Sequence, residues 1–203
     1  MLPENPNELI SWLQQRLAGR DYPAAADFAA SARRQASVLI GLVMHADQVN
    51  VLFTQRADHL STHAGQVSFP GGAIEADDAD AIAAALRETQ EEVGIPPDWI
   101  QPLQRLGEYH TISGYCVTPV LATIRPGYPL DPDANEVADV FELPLSVVLD
   151  PSRYERRWVE RHGVRGKTHF LDYAGRTVWG ATAGMLLQLS IVLGLEGIPV
   201  DRT

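Results

Sequence analysis

The sequence predicts an α/β fold in which a mixed β-sheet carries helices on both of its faces. A nearly continuous apolar run, residues 37–44, is typical of a strand buried on both faces, and residues 49–55 predict a second strand. Apolar residues recur at helical spacing in three segments, residues 7–17, 80–93 and 181–195. Strands and helices follow one another without strict βαβ alternation, which favours a mixed sheet over a wholly parallel one. The 203 residues contain no repeat or low-complexity linker, so we predict one domain, 1–203.

The segment ahead of the first strand is predicted to form a helical extension, residues 1–36. Pro6 suits the first turn of the helix at 7–17. An Ala-rich stretch follows this helix, and Arg33 and Arg34 close it.

The helix at 80–93 has clear signals at both ends. Several aspartates in 77–80 are candidate N-caps, and Gly94 is a typical residue just past a helix end. We predict further strands at residues 67–69, 103–111, 116–124, 140–143, 167–173 and 177–179. The last two flank an Ala174-Gly175 turn, which indicates a hairpin. An acidic loop at 131–139 and a short helix at 144–149 lie between these strands.

Composition and charge restrict the class of protein. Hydrophobic residues make up 45% and charged residues 21% of the chain, as in globular domains. The formal net charge of −10 argues against nucleic acid as the main partner. Because the sequence has neither a signal peptide nor an apolar run long enough for a bilayer, we expect a cytoplasmic protein without a membrane partner. The single Cys116 fits a reducing compartment, and no motif supports a nucleophilic role for it.

Three glutamates late on the 80–93 helix form the strongest functional signal. At about 100° per residue, Glu88 and Glu92 lie one turn apart beside the apolar stripe, and Glu91 lies further round. Crowded carboxylates repel one another unless cations lie between them, and Mg²⁺ or Mn²⁺ prefers oxygen ligands. Arg87 lies within ion-pair reach of Glu91, which it would support. Taken alone, the helix also allows a solvated acidic face with an Arg87–Glu91 ion pair.

The surroundings of these glutamates resemble the Nudix box, whose general form is Gly, five residues, Glu, seven residues, Arg-Glu-apolar-x-Glu-Glu-x-Gly-apolar. The matching residues are Gly72, Arg87, Glu88, Glu91, Glu92, Gly94 and Ile95. In this sequence the box covers 72–95, and its front is one residue longer than the general form. The early Glu therefore falls on Asp78 or on Ala79. The resemblance implies a Nudix-type α/β/α sandwich with a mixed β-sheet.

The segment just before the box indicates which branch of the family the sequence resembles. Residues 52–72 read LFTQRADHLSTHAGQVSFPGG, which is similar to the signature of the coenzyme A pyrophosphatase branch of Nudix hydrolases. The residues in register are Arg56, His63, Gly65, Gln66, Phe69 and Pro70. Residues 178–183 (VWGATA) resemble the start of that branch's last helix. Two positions depart from the signature: Ser61 stands where the branch has its second Arg, and Ala57 replaces a Ser.

The resemblance implies metal-dependent hydrolysis of the pyrophosphate bond of coenzyme A or its derivatives, giving 4′-phosphopantetheine and adenosine 3′,5′-bisphosphate. Divalent ions would neutralise the pyrophosphate and activate water, so we expect Mg²⁺ or Mn²⁺ on Glu88, Glu91 and Glu92. The catalytic candidates are Glu88 as first choice of base, Glu136 of the acidic loop as second, and Glu91. The candidates for substrate binding are Arg34, Arg56, His63, Gln66, Gly71 and Gly72. We also expect Tyr109, His110 and Tyr115 to line the cleft, and Phe69 and Trp179 to pack mainly in the core.

Two other functions stay open at the level of the sequence. The serine at position 61 keeps open a Nudix hydrolase of another nucleoside diphosphate derivative, such as a nucleotide sugar or a dinucleotide. The third candidate is a non-catalytic Nudix module that binds nucleotide, which the presence of all three helix glutamates and Arg87 disfavours. In each case the expected partner is a small nucleotide, and a homodimer is a candidate assembly.

Overall fold

The computed structural model describes residues 2–3, 5–19, 22–27, 34–161 and 163–202. The α-helices in these ranges are α1 (Pro6–Leu17), α2 (Ala81–Val93), α3 (Leu145–Val148) and α4 (Gly180–Val192). The strands are β1 (Ala25–Ala26), β2 (Arg34–Met44), β3 (Val49–Arg56), β4 (Val67–Ser68), β5 (Gly71–Ala73), β6 (Ile100–Arg105), β7 (Tyr109–His110), β8 (Tyr115–Ile124), β9 (Val137–Pro144), β10 (Glu155–Arg161), β11 (Val164–Tyr173), β12 (Arg176–Trp179) and β13 (Val200–Asp201). None of the described helices has the length and apolar character that a membrane span requires.

One large sheet forms the centre of the fold. Its strand order is β1-β7-β8-β2-β3-β4, with β5 paired to β2, β6 to β8 and β9 to β3. The β2–β8 and β1–β7 pairs are parallel, whereas β2–β3, β3–β9 and β6–β8 are antiparallel. The predicted mixed sheet is therefore confirmed.

Helices cover both faces of this sheet. Buried leucines of α1 and α4 pack in one core with Ile40, Phe53 and Leu121. On the other face, Ala85 and Val93 of α2 pack with a second group of buried strand residues. This arrangement confirms the predicted α/β/α sandwich.

A second, four-stranded sheet, with the order β12-β11-β10-β13, lies near the C-terminus. The predicted hairpin is confirmed, because β11 and β12 pair in antiparallel register around the Ala174-Gly175 turn. Both turn residues have positive φ, 49° and 77°, as tight hairpin turns require. Strand β10 was not predicted from the sequence.

Two predictions about elements are wrong. The predicted strand at 103–111 is two strands, β6 and β7. At the break, a Cβ on Gly107 would lie 2.5 Å from the carbonyl oxygen of Tyr22, so the chain packs there against another segment. Among the described residues of the predicted helical extension at 1–36, only α1 is helical, because β1 joins the large sheet and β2 begins at Arg34. The predicted closing residue Arg33 lies outside the described residues.

Candidate active site

Helix α2 is delimited at both ends by local interactions that its sequence encodes. The carboxylate of Asp80 accepts hydrogen bonds from the second and third N–H groups of the helix, at 2.8 and 2.9 Å. Gly94 ends the helix with φ +77°, and its N–H donates to the carbonyl of Gln90 at 3.0 Å. A Cβ at Gly94 would lie 2.6 Å from the backbone nitrogen of Asp131. The glycine therefore also allows the acidic loop to approach the helix end.

The acidic loop closes over the C-terminal end of α2. The N–H groups of Asp131 and Asp133 each donate, at 3.0 Å, to one of the last two carbonyls of the helix. These carbonyls have no partner within the helix itself. At the end of the loop, the carbonyl of Glu136 accepts a hydrogen bond of 2.8 Å from the N–H of Ala57. The loop thus places Glu136 beside the glutamates of the helix.

A cleft of about 630 Å³ lies next to these carboxylates. Its walls come from α2, the β5 turn, the segment between β3 and β4, the β10–β12 sheet and the start of α4. The structure brings nine of the predicted site residues to this cleft: Arg34, Arg56, His63, Gln66, Gly71, Gly72, Glu88, Glu92 and Glu136. Residues far apart in the sequence therefore form one concave site.

Glu92 is the most deeply buried carboxylate of the site, with 6% of the residue exposed. The N–H of Gly71 donates to its Oε2 at 3.0 Å, and Nη1 of Arg56 lies 3.9 Å from its Oε1. Burial raises the pKa of Glu92 to about 7, with smaller contributions from the charges of Glu88 and Glu136, against the lowering effect of Gly71 and Arg56. A divalent cation would stabilise the charged form of this carboxylate.

Glu88 lies against the glycine turn. A Cβ at Gly72 would be 2.5 Å from the carboxyl carbon of Glu88, so any larger residue would displace this carboxylate. Nη1 of Arg87 donates to Oε1 of Glu88 at 2.9 Å. Burial raises the pKa of Glu88 above its ordinary value, the hydrogen bond from Arg87 lowers it, and the charges of Glu91 and Glu136 raise it further. The raised pKa makes Glu88 a stronger base than an exposed carboxylate.

Arg87 organises the outer side of the acidic helix. Its Nε and Nη2 donate to the two carboxylate oxygens of Asp78, at 3.0 and 2.9 Å, in a bidentate pair. Its Nη2 also donates to the carbonyl of Ala73 at 3.1 Å. Asp78, one of the two positions considered for the early Glu of the box, is therefore the one that pairs with Arg87. The hydrogen bonds from Arg87 lower the pKa of Asp78, as expected for a carboxylate that supports an arginine.

Glu91 is the predicted metal and catalytic residue that the structure does not bring into the cleft. Its side chain is 60% exposed and accepts a hydrogen bond of 2.9 Å from Nη1 of Arg87. This is the Arg87–Glu91 ion pair that the sequence analysis gave as the alternative interpretation. A role for Glu91 as a ligand stays a prediction.

The remaining carboxylates supply the donor type that Mg²⁺ and Mn²⁺ prefer. Glu88, Glu92 and Glu136 face one cleft, and the charge of Glu136 raises the pKa of both helix carboxyls. Their oxygens are not gathered within 4.8 Å of one another, because Arg87 and the N–H of Gly71 hold two of them. The chemistry of the set fits a hard divalent ion, and binding would require small rotations of these side chains.

The signature segment supplies a polar wall beside the glutamates. His63 has the uncommon positive φ of 58°, its Nδ1 lies 2.8 Å from Oε1 of Gln66, and the N–H of Gln66 donates to its carbonyl at 3.2 Å. Arg56 is fixed through its own N–H, which donates to the carbonyl of Gln66 at 2.9 Å. Its buried Nε has no hydrogen-bond partner among the described residues. This guanidinium retains donor capacity for an anionic ligand.

The far wall of the cleft is largely apolar, and sequence reasoning missed most of it. Ile112, Val159 and Met185 line it, and Val159 lies on the unpredicted strand β10. Trp179, expected mainly in the core, also lines the cleft, with its ring stacked 5.4 Å from that of Phe170. The β10 sequence, ERRWVER, does not alternate between apolar and polar residues, so no strand pattern indicated this wall.

The three ring side chains expected at the cleft, Tyr109, His110 and Tyr115, do not all line it. Tyr115 lines the cleft as predicted, and its hydroxyl accepts a hydrogen bond of 3.3 Å from Nη1 of Arg34. Tyr109 is buried, and its hydroxyl donates to Asp27 at 3.0 Å. His110 is not among the cleft residues. The prediction that Tyr109 and His110 line the cleft is therefore wrong.

Comparison with known proteins finds a matching domain family, similar sequences and similar structures. Residues 33–162 match the model of the NUDIX domain. A protein of Enterobacter sp. (strain 638) named uncharacterized Nudix hydrolase NudL is 43% identical over 164 residues, which cover 81% of this chain and 85% of that protein. Its counterpart of the same name in Escherichia coli (strain K12) is 44% identical over 163 residues, 80% of this chain and 84% of that protein. A crystal structure of the Nudix hydrolase RenU from M. smegmatis is 22% identical, with a TM-score of 0.48, over 57% of this chain and 73% of that chain.

Proposed function

Because the chain belongs to the Nudix domain family, we propose that it hydrolyses the pyrophosphate bond of coenzyme A or an acylated derivative. Hydrolases of this family act on nucleoside diphosphate derivatives and generally use divalent metal ions. The observation that carries the proposal is the meeting of two sequence segments in one cleft. Arg56, His63 and Gln66 of the signature segment line the same cavity as Glu88 and Glu92 of the box.

The charge distribution of the cleft suits a substrate with several phosphates. A divalent ion on Glu88, Glu92 and Glu136 would supply neutralisation of the pyrophosphate and activation of water. Arg56 lines the cleft with a quarter of its side chain exposed, so its guanidinium is placed to donate to a phosphate oxygen. Arg34 lines the cleft beside Tyr115 and offers a second cation. Coenzyme A carries a 3′-phosphate in addition to its pyrophosphate, and two separate arginines match these two groups.

A carboxylate of the cleft accepts the proton that is released during hydrolysis. Water attacks one phosphorus, and the bond between that phosphorus and the bridging oxygen breaks. The bridging oxygen leaves with the other phosphate, and the oxygen from water stays on the attacked phosphate. The proton that this water loses goes to Glu88, whose raised pKa favours acceptance. Glu136 is the second candidate because it faces the same cleft from the acidic loop. The leaving phosphate gains negative charge, which the guanidinium of Arg56 stabilises.

The apolar wall suits the other half of the substrate. Ile112, Val159, Met185 and Trp179 offer a surface on which the pantetheine arm of coenzyme A would lose contact with water. A nucleotide sugar has no comparably long, weakly polar chain. This wall therefore favours coenzyme A over the sugar-linked alternatives.

A substrate panel tests the proposal. Coenzyme A, acetyl-coenzyme A, NADH, ADP-ribose and diadenosine tetraphosphate are each incubated with the protein and Mg²⁺ or Mn²⁺, and products are identified by mass. We expect coenzyme A to give 4′-phosphopantetheine and adenosine 3′,5′-bisphosphate in equal amounts. The Glu92→Gln variant should form neither product. Turnover of ADP-ribose with coenzyme A left intact would replace the proposal by the broader nucleotide hydrolase. Tight nucleotide binding without any turnover would instead support the non-catalytic module.

A further inference from the structure

We propose that Glu108, His110 and Cys116 form a second metal site, which binds Zn²⁺ on the face of β8 that does not line the cleft. One carboxylate oxygen, one imidazole nitrogen and the thiol sulfur of these residues lie within 4.8 Å of one another. Nε2 of His110 is 3.8 Å from Oε2 of Glu108. No other group of three potential ligands among the described residues is as compact.

Strand geometry accounts for this convergence. His110 on β7 is the antiparallel partner of Cys116 on β8, so the two side chains lie directly opposite each other on one face. Glu108 precedes His110 by two residues, and residues two apart along an extended chain share a face. The Glu-x-His pattern and the distant cysteine therefore meet because of the register of the backbone.

The backbone that carries these residues is fixed on both sides. The short strand β7 pairs with β8 on one side and with β1 on the other. The N–H of Ala25 donates to the carbonyl of Glu108, and the N–H of Asp27 to the carbonyl of His110, both at 2.9 Å. A ligand set on paired strands is held more exactly than one on a mobile loop, which lowers the cost of binding a metal.

The donor set distinguishes this site from the cleft. A thiolate, an imidazole and a carboxylate are the ligands that Zn²⁺ accepts in a tetrahedral site, whereas Mg²⁺ prefers oxygen alone. Cys116 is 3% exposed, while Glu108 is exposed and His110 is partly exposed, so an ion can enter from the solvent side. On binding, the thiol of Cys116 loses its proton to solvent and the sulfur bonds to the metal.

One coordination position is left by the three side chains. Gln35 on β2 is the parallel partner of Cys116, and its side chain hydrogen-bonds to the thiol. Its amide oxygen or a water would complete the four ligands. The neighbouring residues Thr111 and Tyr115 line the cleft, whereas none of the three proposed ligands does, so a bound ion would join the two strands behind the cleft wall.

Metal titration of the whole protein tests this inference independently of the proposed enzyme activity. The protein, stripped of metal, is titrated with Zn²⁺ by calorimetry and with Co²⁺ by absorption, because Co²⁺ bonded to a thiolate gives a characteristic charge-transfer band. We expect one tight equivalent and the thiolate band, both retained in the double variant Glu88→Gln/Glu92→Gln, which removes the cleft carboxylates. Cys116→Ser should abolish the band and weaken Zn²⁺ at least about 100-fold, since it removes a direct ligand.

Matched variants separate binding from general damage. His110→Ala should lose the tight equivalent, whereas His169→Ala, which alters a histidine on β11 outside the cluster, should keep it. Unfolding curves of the metal-free variants serve as the folding check. Absence of the thiolate band in the wild type, or Zn²⁺ affinity unchanged in Cys116→Ser, would overturn the proposal.

Discussion

Replacing Glu92 by glutamine is expected to stabilise the metal-free protein at alkaline pH, although the change removes a charged residue. Folding raises the pKa of this carboxyl from 4.5 to about 7. The difference, at about 1.4 kcal/mol per pH unit, amounts to about 3 kcal/mol. Because the residue is only 6% exposed, solvent does little to screen this cost. Glutamine keeps an oxygen that can accept the hydrogen bond from the N–H of Gly71.

The sign of the pH dependence follows from linkage. A carboxyl whose pKa rises on folding stabilises the native state in its protonated form, so this contribution is complete below pH 4.5 and is lost as the pH rises to about 7. We therefore expect Glu92→Gln and the wild type to be equally stable near pH 4. Above pH 7 the variant should exceed the wild type by up to about 3 kcal/mol, or about 6–12 °C in melting temperature for a chain of this size.

Urea unfolding in EDTA at several pH values between 4 and 8 measures this difference. Glu91→Gln is the matched control, because Glu91 is exposed and its i,i+4 pair with Arg87 is worth only about 0.3–0.5 kcal/mol. Addition of Mg²⁺ should then stabilise the wild type and leave Glu92→Gln nearly unchanged. A Glu92→Gln protein that is less stable than the wild type at pH 8 in EDTA would refute the reasoning.

Three further predictions concern the surroundings of the glutamates. Gly72→Ala would place a Cβ 2.5 Å from the carboxyl carbon of Glu88, so kcat should fall about 100-fold with an unchanged circular dichroism spectrum. Arg87→Lys loses the bidentate pair with Asp78, and urea unfolding should show a loss of about 1–3 kcal/mol together with reduced kcat. Ser61→Arg restores the cation that the branch signature carries, and KM for coenzyme A should fall about fivefold, or about 1 kcal/mol, at unchanged kcat. Unaltered kinetics in Gly72→Ala, unaltered stability in Arg87→Lys, or an unaltered KM in Ser61→Arg would each count against the corresponding contact.

The sequence predicts those parts of the fold that depend on local interactions. Asp80 and Gly94 delimit α2 by capping, which involves only neighbouring residues, and both ends were predicted. Strands β1 and β7 are two residues long and exist because they pair with each other across more than eighty positions of the chain. No local pattern identifies such strands. The same reason explains why the long strand predicted at 103–111 is wrong: the contact of Gly107 with residue 22 is not visible in the sequence.

The candidate site also has one part that the sequence predicts and another part that only the folded structure brings together. Helical spacing placed Glu88 and Glu92 together, and the resemblance to a known signature placed Arg56 and His63 with them. The spacing left the direction of Glu91 open, because Arg87 can reach either side of the helix. The structure turns this pair towards solvent and uses Asp78 to hold the arginine. Val159 of the apolar wall comes from a different sheet, whose packing the sequence does not specify.

Mn²⁺ binding, followed by electron paramagnetic resonance, tests most directly whether the buried carboxylates of α2 hold divalent ions for hydrolysis. The comparison uses the wild type, Glu88→Gln and Glu92→Gln, with Cys116→Ser as a control outside the cleft. We predict that both glutamate variants lose the bound Mn²⁺ signal and that Cys116→Ser retains it. Mn²⁺ bound with wild-type affinity by Glu92→Gln would contradict the account.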